Sequence, residues 1–178
     1  MSLQQDIIQY FSYPGLFILP ILGSLGLPVP EEAILILCGV LISESLIKPV
    51  PAVIAVYSGV IISDFIIFSI GRRYGRALVT HKRFQKILSP EKLTIVEDKF
   101  NKFGPCLIFF GRHLIGLMSQ LFLISGIMGM PPNKFIMTDA VAALITVTVM
   151  VTAGYTGFNM ISYVHLININ TGYVISAL

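Results

Sequence analysis

The 178 residues are 55% hydrophobic and 12% charged, with a mean hydropathy of +0.85. Soluble domains carry about 25% charged residues, so this composition excludes a single domain facing water on every side and makes the bilayer the solvent for much of the surface. The net charge of +3 is unevenly spread, because nine of the twelve Lys and Arg residues fall between Arg72 and Lys102; the positive-inside rule puts that segment in the cytoplasm, and the apolar runs flanking it argue for a membrane surface rather than nucleic acid.

The N-terminus carries Asp6 and lacks both a basic region and a clear small-residue cleavage site, so no signal peptide is expected. The first apolar unit, Pro14 to Ile47, is broken by Pro14, Pro20, Pro28 and Pro30 and by Gly23 and Gly26. Interior prolines remove helix hydrogen bonds, so Gly26-Leu27-Pro28-Val29-Pro30 reads as a turn. The stretch after it, Glu32 to Ile47, falls short of the roughly 20 residues a crossing helix needs. Two short helices around a buried turn make a re-entrant hairpin, residues 14–47. Such backbone persists at membrane depth only inside protein or beside a wet cavity.

Residues 51–71 form a complete transmembrane helix with Asp64 in its later half. It ends at the basic boundary Gly71-Arg72-Arg73-Tyr74-Gly75-Arg76, where the glycines read as a tight turn. A basic cytoplasmic connector, 72–103, follows. Within it Ser89-Pro90-Glu91 is a helix start, and Leu93, Val96, Phe100 and Phe103 recur on one face of an amphipathic surface helix. A second re-entrant hairpin, 104–130, carries Arg112, His113 and Gly116 and stops before Pro131-Pro132. A transmembrane helix, 135–158, has Asp139 near its start, where an interfacial cap is the expected role. Residues 159–178 read as either a last span or an interfacial helix. Cys38 and Cys106 lack metal-ligand spacing and read as small hydrophobes.

The units look repeated. Cys38-Gly39-Val40 matches Ser125-Gly126-Ile127, and counting back equally from the two glycines reaches Glu32 and Ser119. Each broken unit precedes a span ending in a glycine–tyrosine cluster. The expected fold is therefore an all-α polytopic membrane protein of one domain, 1–178, with two opposed re-entrant helical hairpins plus transmembrane helices in an inverted-repeat arrangement. Folds of that kind place their site near the midplane, between broken helices.

Two charged dipeptides, Glu31-Glu32 and Arg112-His113, sit inside apolar runs. A charge at the bilayer centre costs about 2.5–3.5 kcal/mol on the lenient insertion scale, so these groups are expected to pair, meet water or touch a ligand.

Taken in order, Gly26-x-Pro28-x-Pro30-x-Glu32, Gly39, Asp64, Gly71-Arg72-x-x-Gly75, Phe110-x-Arg112-His113, Gly116, Ser125-Gly126-x-Met128 and Phe135 resemble the DedA family of bacterial membrane proteins, relatives of the VTT-domain scramblases. The resemblance covers Pro14 to Phe158. It implies opposed re-entrant hairpins in the bacterial cytoplasmic (inner) membrane and movement of lipid between leaflets, with undecaprenyl phosphate as a substrate class and proton coupling in some members. The chain departs from the family's second motif arginine, where it has Met118, and from the motif proline, where it has Ile115.

Arg112 is the expected phosphate contact, since its planar fork fits phosphate oxygens. His113 and Gly116 are expected in the same phosphate site, His113 as a donor or proton carrier with a merely satisfied buried histidine as the bland alternative. The bland alternative for Arg112 is a structural pair with Glu31, Glu32 or Asp64. Those three carboxylates are the expected proton-coupling or charge-pairing groups. Arg72 and Arg73 are expected head-group or topology anchors. No enzyme is expected: Gly-x-Ser-x-Gly, His-Glu-x-x-His and the acid-phosphatase pattern are all missing. No cofactor or metal is expected. The expected partners are membrane lipids, an anionic phospholipid or a polyprenyl phosphate, with a homo-oligomer left open and no nucleic acid. The expected function is that of a lipid flippase or scramblase of DedA type. The alternatives are a proton- or ion-coupled transporter of a soluble solute and a structural or assembly protein.

Overall fold

The computed structural model describes residues 3–24, 30–80, 100, 102–112 and 118–176, with side chains described for 12–24, 30–75, 100, 102–112 and 118–160. Among the described residues there are helices and no strands. The helices are α1 (Leu3–Ser24), α2 (Glu31–Ser43), α3 (Pro49–Thr80), α4 (Pro105–Gly111), α5 (Met118–Ile127) and α6 (Pro132–Ser176). Proline opens α3, α4 and α6, the position where its missing N–H costs nothing and its fixed φ suits the first turn.

Several boundaries differ from the sequence reading. Pro14 and Pro20 lie inside α1 rather than interrupting it; helices in apolar surroundings tolerate such prolines because neighbours and local adjustment satisfy the freed carbonyls. α3 continues through the basic boundary to Thr80, so Gly71 and Gly75 are helical residues and not a turn. The stretch after Phe158 continues α6 to Ser176 instead of forming a separate element. The turn residues before Pro30 and the amphipathic segment from Ser89 lie outside the described residues.

Two helices are long and apolar enough to cross a membrane, Pro49–Gly75 within α3 and Pro132–Met160 within α6. They lie against each other in opposite directions. Phe68 stacks on Phe135 with ring centroids 4.3 Å apart, while Tyr57, earlier on α3, donates its hydroxyl hydrogen to the Ala140 carbonyl, later on α6, at 2.9 Å. Their outer faces carry exposed Val50, Ile54 and Phe65 on α3 and Met137, Val141 and Val149 on α6. Apolar surface this extensive marks contact with lipid or protein rather than water.

The short helices pack in a crossed manner. α2 lies on α6, and α5 lies on α3. In each case residue numbers rise together along the pair, so the two helices run in parallel. A Cβ on Gly39 of α2 would meet the Val151 carbonyl and the Gly154 Cα, and one on Gly154 would meet the Ile36 carbonyl. A Cβ on Gly126 of α5 would meet the Phe68 carbonyl and the Gly71 carbon, and one on Gly71 would meet the Leu123 carbonyl. The two seams use the same registers: glycine against glycine, with the nearest carbonyl one turn earlier. Both short helices also end alike. Leu46 N–H reaches the Leu41 carbonyl around Ser45 (φ 57°), and Met130 N–H reaches the Ser125 carbonyl around Gly129 (φ 71°). These are left-handed C-caps of Schellman type; Ser45 bears a Cβ in a conformation that glycine adopts without strain.

Two apolar clusters form the interior. One gathers Leu35, Cys38, Val56, Val60 and Val147; the other gathers Phe68, Ile108, Phe122 and Phe135. On α3 the two clusters are separated by Asp64, between Val60 and Ile67. On α6 they are separated by Asp139, between Phe135 and Ala143. A charged layer therefore lies between two apolar ones.

Candidate functional site

Arg112 occupies the C-cap of α4, its N–H bonded to the Ile108 carbonyl at 3.0 Å. The tight turn at Gly104 (φ 45°) and the seven-residue helix behind it deliver the side chain into the charged layer. There the guanidinium meets three carboxylates from three other helices. Nη1 donates to Asp64 Oδ2 of α3 at 2.7 Å and to Asp139 Oδ1 of α6 at 2.5 Å, and Nη2 donates to Glu31 Oε1 of α2 at 2.8 Å. The Phe122 ring of α5 lies 5.9 Å from the guanidinium carbon, within reach of a cation–π contact. The Phe122 ring itself is held edge-on by Phe135 at 5.3 Å.

Burial within the cluster is unequal. The side chains of Arg112 and Asp64 are 0% exposed and that of Asp139 1%, whereas Glu31 is 15% exposed. Glu31 also begins α2, after extended Pro30, where the helix dipole favours a carboxylate. Three buried atoms lack a hydrogen-bond partner among the described residues: Arg112 Nε, Asp64 Oδ1 and Asp139 Oδ2. Buried ion pairs of this kind contribute little net stability, but removing one partner strands the others at a cost of about 3–5 kcal/mol.

The sequence reading singled out Arg112, Glu31 and Asp64, and these three come together. Glu32 does not join them: its side chain makes no hydrogen bond or ion pair with another described residue. Asp139 was expected to be an interfacial cap. It is instead buried against Arg112, because α6 begins at Pro132 and has made two turns by that point. Its signal was the one sequence reasoning passed over, an acid flanked by the apolar positions Phe135 and Ala142. His113 and Gly116 lie outside the described residues. Met118 is the first residue of α5 and packs against the Phe122 cluster. Arg72 and Arg73 are exposed at the end of the apolar stretch of α3, before the helix ends at Thr80; Arg72 Nη1 reaches the Met130 carbonyl at 3.4 Å, and Arg73 lies 5.8 Å over the Tyr74 ring. Among the described residues no group of His, Cys, Asp and Glu is arranged to hold a metal ion. Neither cysteine is in a disulfide, and Cys106 is exposed.

Helices without strands among the described residues, two of those helices long and apolar enough to cross a membrane, and a buried guanidinium–carboxylate cluster define a class, a membrane protein with an ionisable site inside its apolar core. Comparison with known proteins supplies the family. Residues 29–156 match the VTT domain, and the chain belongs to that family, the DedA membrane proteins. An uncharacterized membrane protein of Haemophilus influenzae is 28% identical over 161 residues, 88% of this chain and 75% of that one. One from Bacillus subtilis is 25% identical over 154 residues, 86% of this chain and 95% of its own length. Undecaprenyl phosphate transporter A of Bacillus subtilis is 27% identical over 116 residues, 65% of this chain and 59% of the transporter. No solved structure matches the chain.

Proposed function

We propose that this protein is a lipid flippase or scramblase of the bacterial inner membrane, with the head-group phosphate of an anionic phospholipid or of undecaprenyl phosphate contacting Arg112. The observation that carries this reading is a guanidinium buried in apolar surroundings with part of its donor edge unused. Nε and Nη2 form one edge of the planar fork. Glu31 takes only Nη2, and Nε has no partner among the described residues. A phosphate exchanging with Glu31 would engage both donors, the bidentate geometry that suits arginine. Glu31 is the partner to leave because it is the least buried, while Asp64 and Asp139 hold Nη1 in place. The relative named as an undecaprenyl phosphate transporter supports the substrate class.

Alternating exposure would come from an inverted repeat, α2–α3 against α5–α6. The crossed parallel packing, the matched glycine seams and the shared caps support it. In this arrangement 14–47 and 104–130 are the two re-entrant hairpins, 51–71 and 135–158 cross the membrane, and 72–103 faces the cytoplasm. Head-group anchoring falls to Arg72 and Arg73. The chemistry is movement rather than catalysis.

A second reading keeps its place because carboxylates outnumber the guanidinium three to one. A proton or another cation entering the cluster would balance that excess, as in a cation-coupled transporter of a soluble solute. Reconstitution separates the two. Vesicles containing the protein and a leaflet-labelled phospholipid or polyprenyl phosphate should show faster flipping than empty vesicles. Cation flux without flipping would favour the second reading.

A further inference from the structure

A second feature lies well away from Arg112. Where the α2–α3 turn meets α6 there is a groove of about 660 Å³, a volume in the range of ligand pockets. Its walls are apolar, from Ile47, Val53 and Val151; Lys48, Thr152 and Tyr155 line it with polar groups. Val50 and Ile54, 68% and 62% exposed, follow on α3 and face outward, so the groove adjoins apolar surface that meets the bilayer. Along α3, Val53 lies about 16 Å from Asp64 at the helical rise, so this groove is separate from the charged layer.

Its depth follows from α3. Pro49 begins the crossing stretch, and Arg72 and Arg73 lie at its other end. Lys48 therefore lies at the membrane–water boundary on the face opposite the basic segment. It is exposed and forms no ion pair with any other described residue. Its backbone is pinned, because its N–H donates to the Tyr13 hydroxyl of α1 at 3.0 Å. Topology alone does not call for a cation here, because the positive-inside pattern is carried by residues 72–102.

We infer that this groove holds an anionic phospholipid of the leaflet opposite the basic segment. Its phosphate pairs with the Lys48 ammonium and the Thr152 and Tyr155 hydroxyls, and an acyl chain lies along Val53 and Val151. Charge complementarity selects the occupant: an ammonium without an ion-pair partner among the described residues, above apolar walls, suits a group that is anionic at the boundary and apolar below it. A zwitterionic lipid brings its own cation to Lys48, and a soluble anion leaves the walls uncovered. The inference concerns a bound lipid, not transport, and does not depend on what Arg112 binds.

The chain has no tryptophan, so Ile42→Trp, on the groove wall, gives the protein a single emitter and leaves Lys48, Thr152 and Tyr155 in place. The protein is placed in phosphatidylcholine vesicles, which add no tryptophan, containing equal mole fractions of either brominated phosphatidylglycerol or brominated phosphatidylcholine, and quenching is compared. Membrane-surface attraction per lysine predicts association about fivefold stronger for phosphatidylglycerol, and Lys48→Gln should bring the ratio close to one. Equal quenching by the two lipids, or a preference that survives Lys48→Gln, overturns the proposal. So does a tryptophan shielded from both, which would mean a second copy or another segment covers the groove. Val50→Trp, on the exposed surface beside the groove, serves as reporter if Ile42→Trp does not fold.

Discussion

Asp64 and Asp139 accept hydrogen bonds from the same nitrogen, Nη1 of Arg112, at 2.7 and 2.5 Å. They come from two antiparallel helices, each long and apolar enough to cross a membrane, so one guanidinium group joins α3 to α6 in the layer between the two apolar clusters. Glu31 adds α2 through Nη2. The cluster is thus both a candidate ligand site and a clamp between helices.

The clamp predicts a ranking of stabilities. Arg112→Ala strands three carboxylates and should cost about 3–5 kcal/mol. Asp139→Asn removes one charge from a cluster with excess carboxylate and keeps an acceptor for Nη1, so its loss should be about 1 kcal/mol, near that of a net hydrogen bond. Thermal unfolding in detergent, followed by loss of the monodisperse peak, would check this. Equal melting temperatures for the two variants would mean the cluster does not hold the helices together.

The glycine seams predict a matched pair of effects. Gly39→Val and Gly126→Val each drive side-chain atoms into the backbone of the partner helix, and overpacking of this kind costs about 1–3 kcal/mol. Gly157→Ala has open space around its Cβ and lies inside α6. It should be neutral or stabilising by up to about 1 kcal/mol. The same unfolding measurement reads all three, and a harmless Gly126→Val beside a damaging Gly39→Val would break the equivalence of the seams.

Orientation is tested by labelling. In a Cys106→Ala background, with Cys38 buried, cysteines replacing Lys48 and Arg73 lie at opposite ends of the long apolar stretch Pro49–Gly75. An impermeant maleimide on intact cells should label the first and spare the second. Reversed labelling would overturn the cytoplasmic placement of the basic segment, and labelling of both would argue against α3 as a crossing helix.

The sequence carried the helical class, the membrane and most of the charged layer, because charges inside apolar runs are energetic outliers that can be read one residue at a time. Asp139 escaped because depth was judged from its distance to the start of a span, while burial depends on which helix lies across from it. Glu32 drew attention through the family pattern, but the side chain that turns toward Arg112 belongs to Glu31, a distinction that only the start of α2 at Glu31 decides. Gly71 and Gly75 read as a turn because basic residues follow them; the packing of α5 shows why small residues are needed inside a helix there. The match of Gly39 with Gly126 was visible as a pattern. That Gly39 would lie against α6 and Gly126 against α3 was not, since contacts between distant segments leave no local periodicity.

The central claim, that Arg112 engages the lipid phosphate, is tested most directly by flipping of a leaflet-labelled polyprenyl phosphate and of phosphatidylglycerol in vesicles holding equal amounts of folded parent or Arg112→Lys protein. Lysine keeps the charge for Asp64 and Asp139 but has no planar fork for bidentate contact. The account predicts that the parent flips at least one of these lipids and that Arg112→Lys slows that flipping by about tenfold, the loss of one charge-assisted hydrogen bond. Flipping at the parental rate by correctly folded Arg112→Lys protein would contradict it.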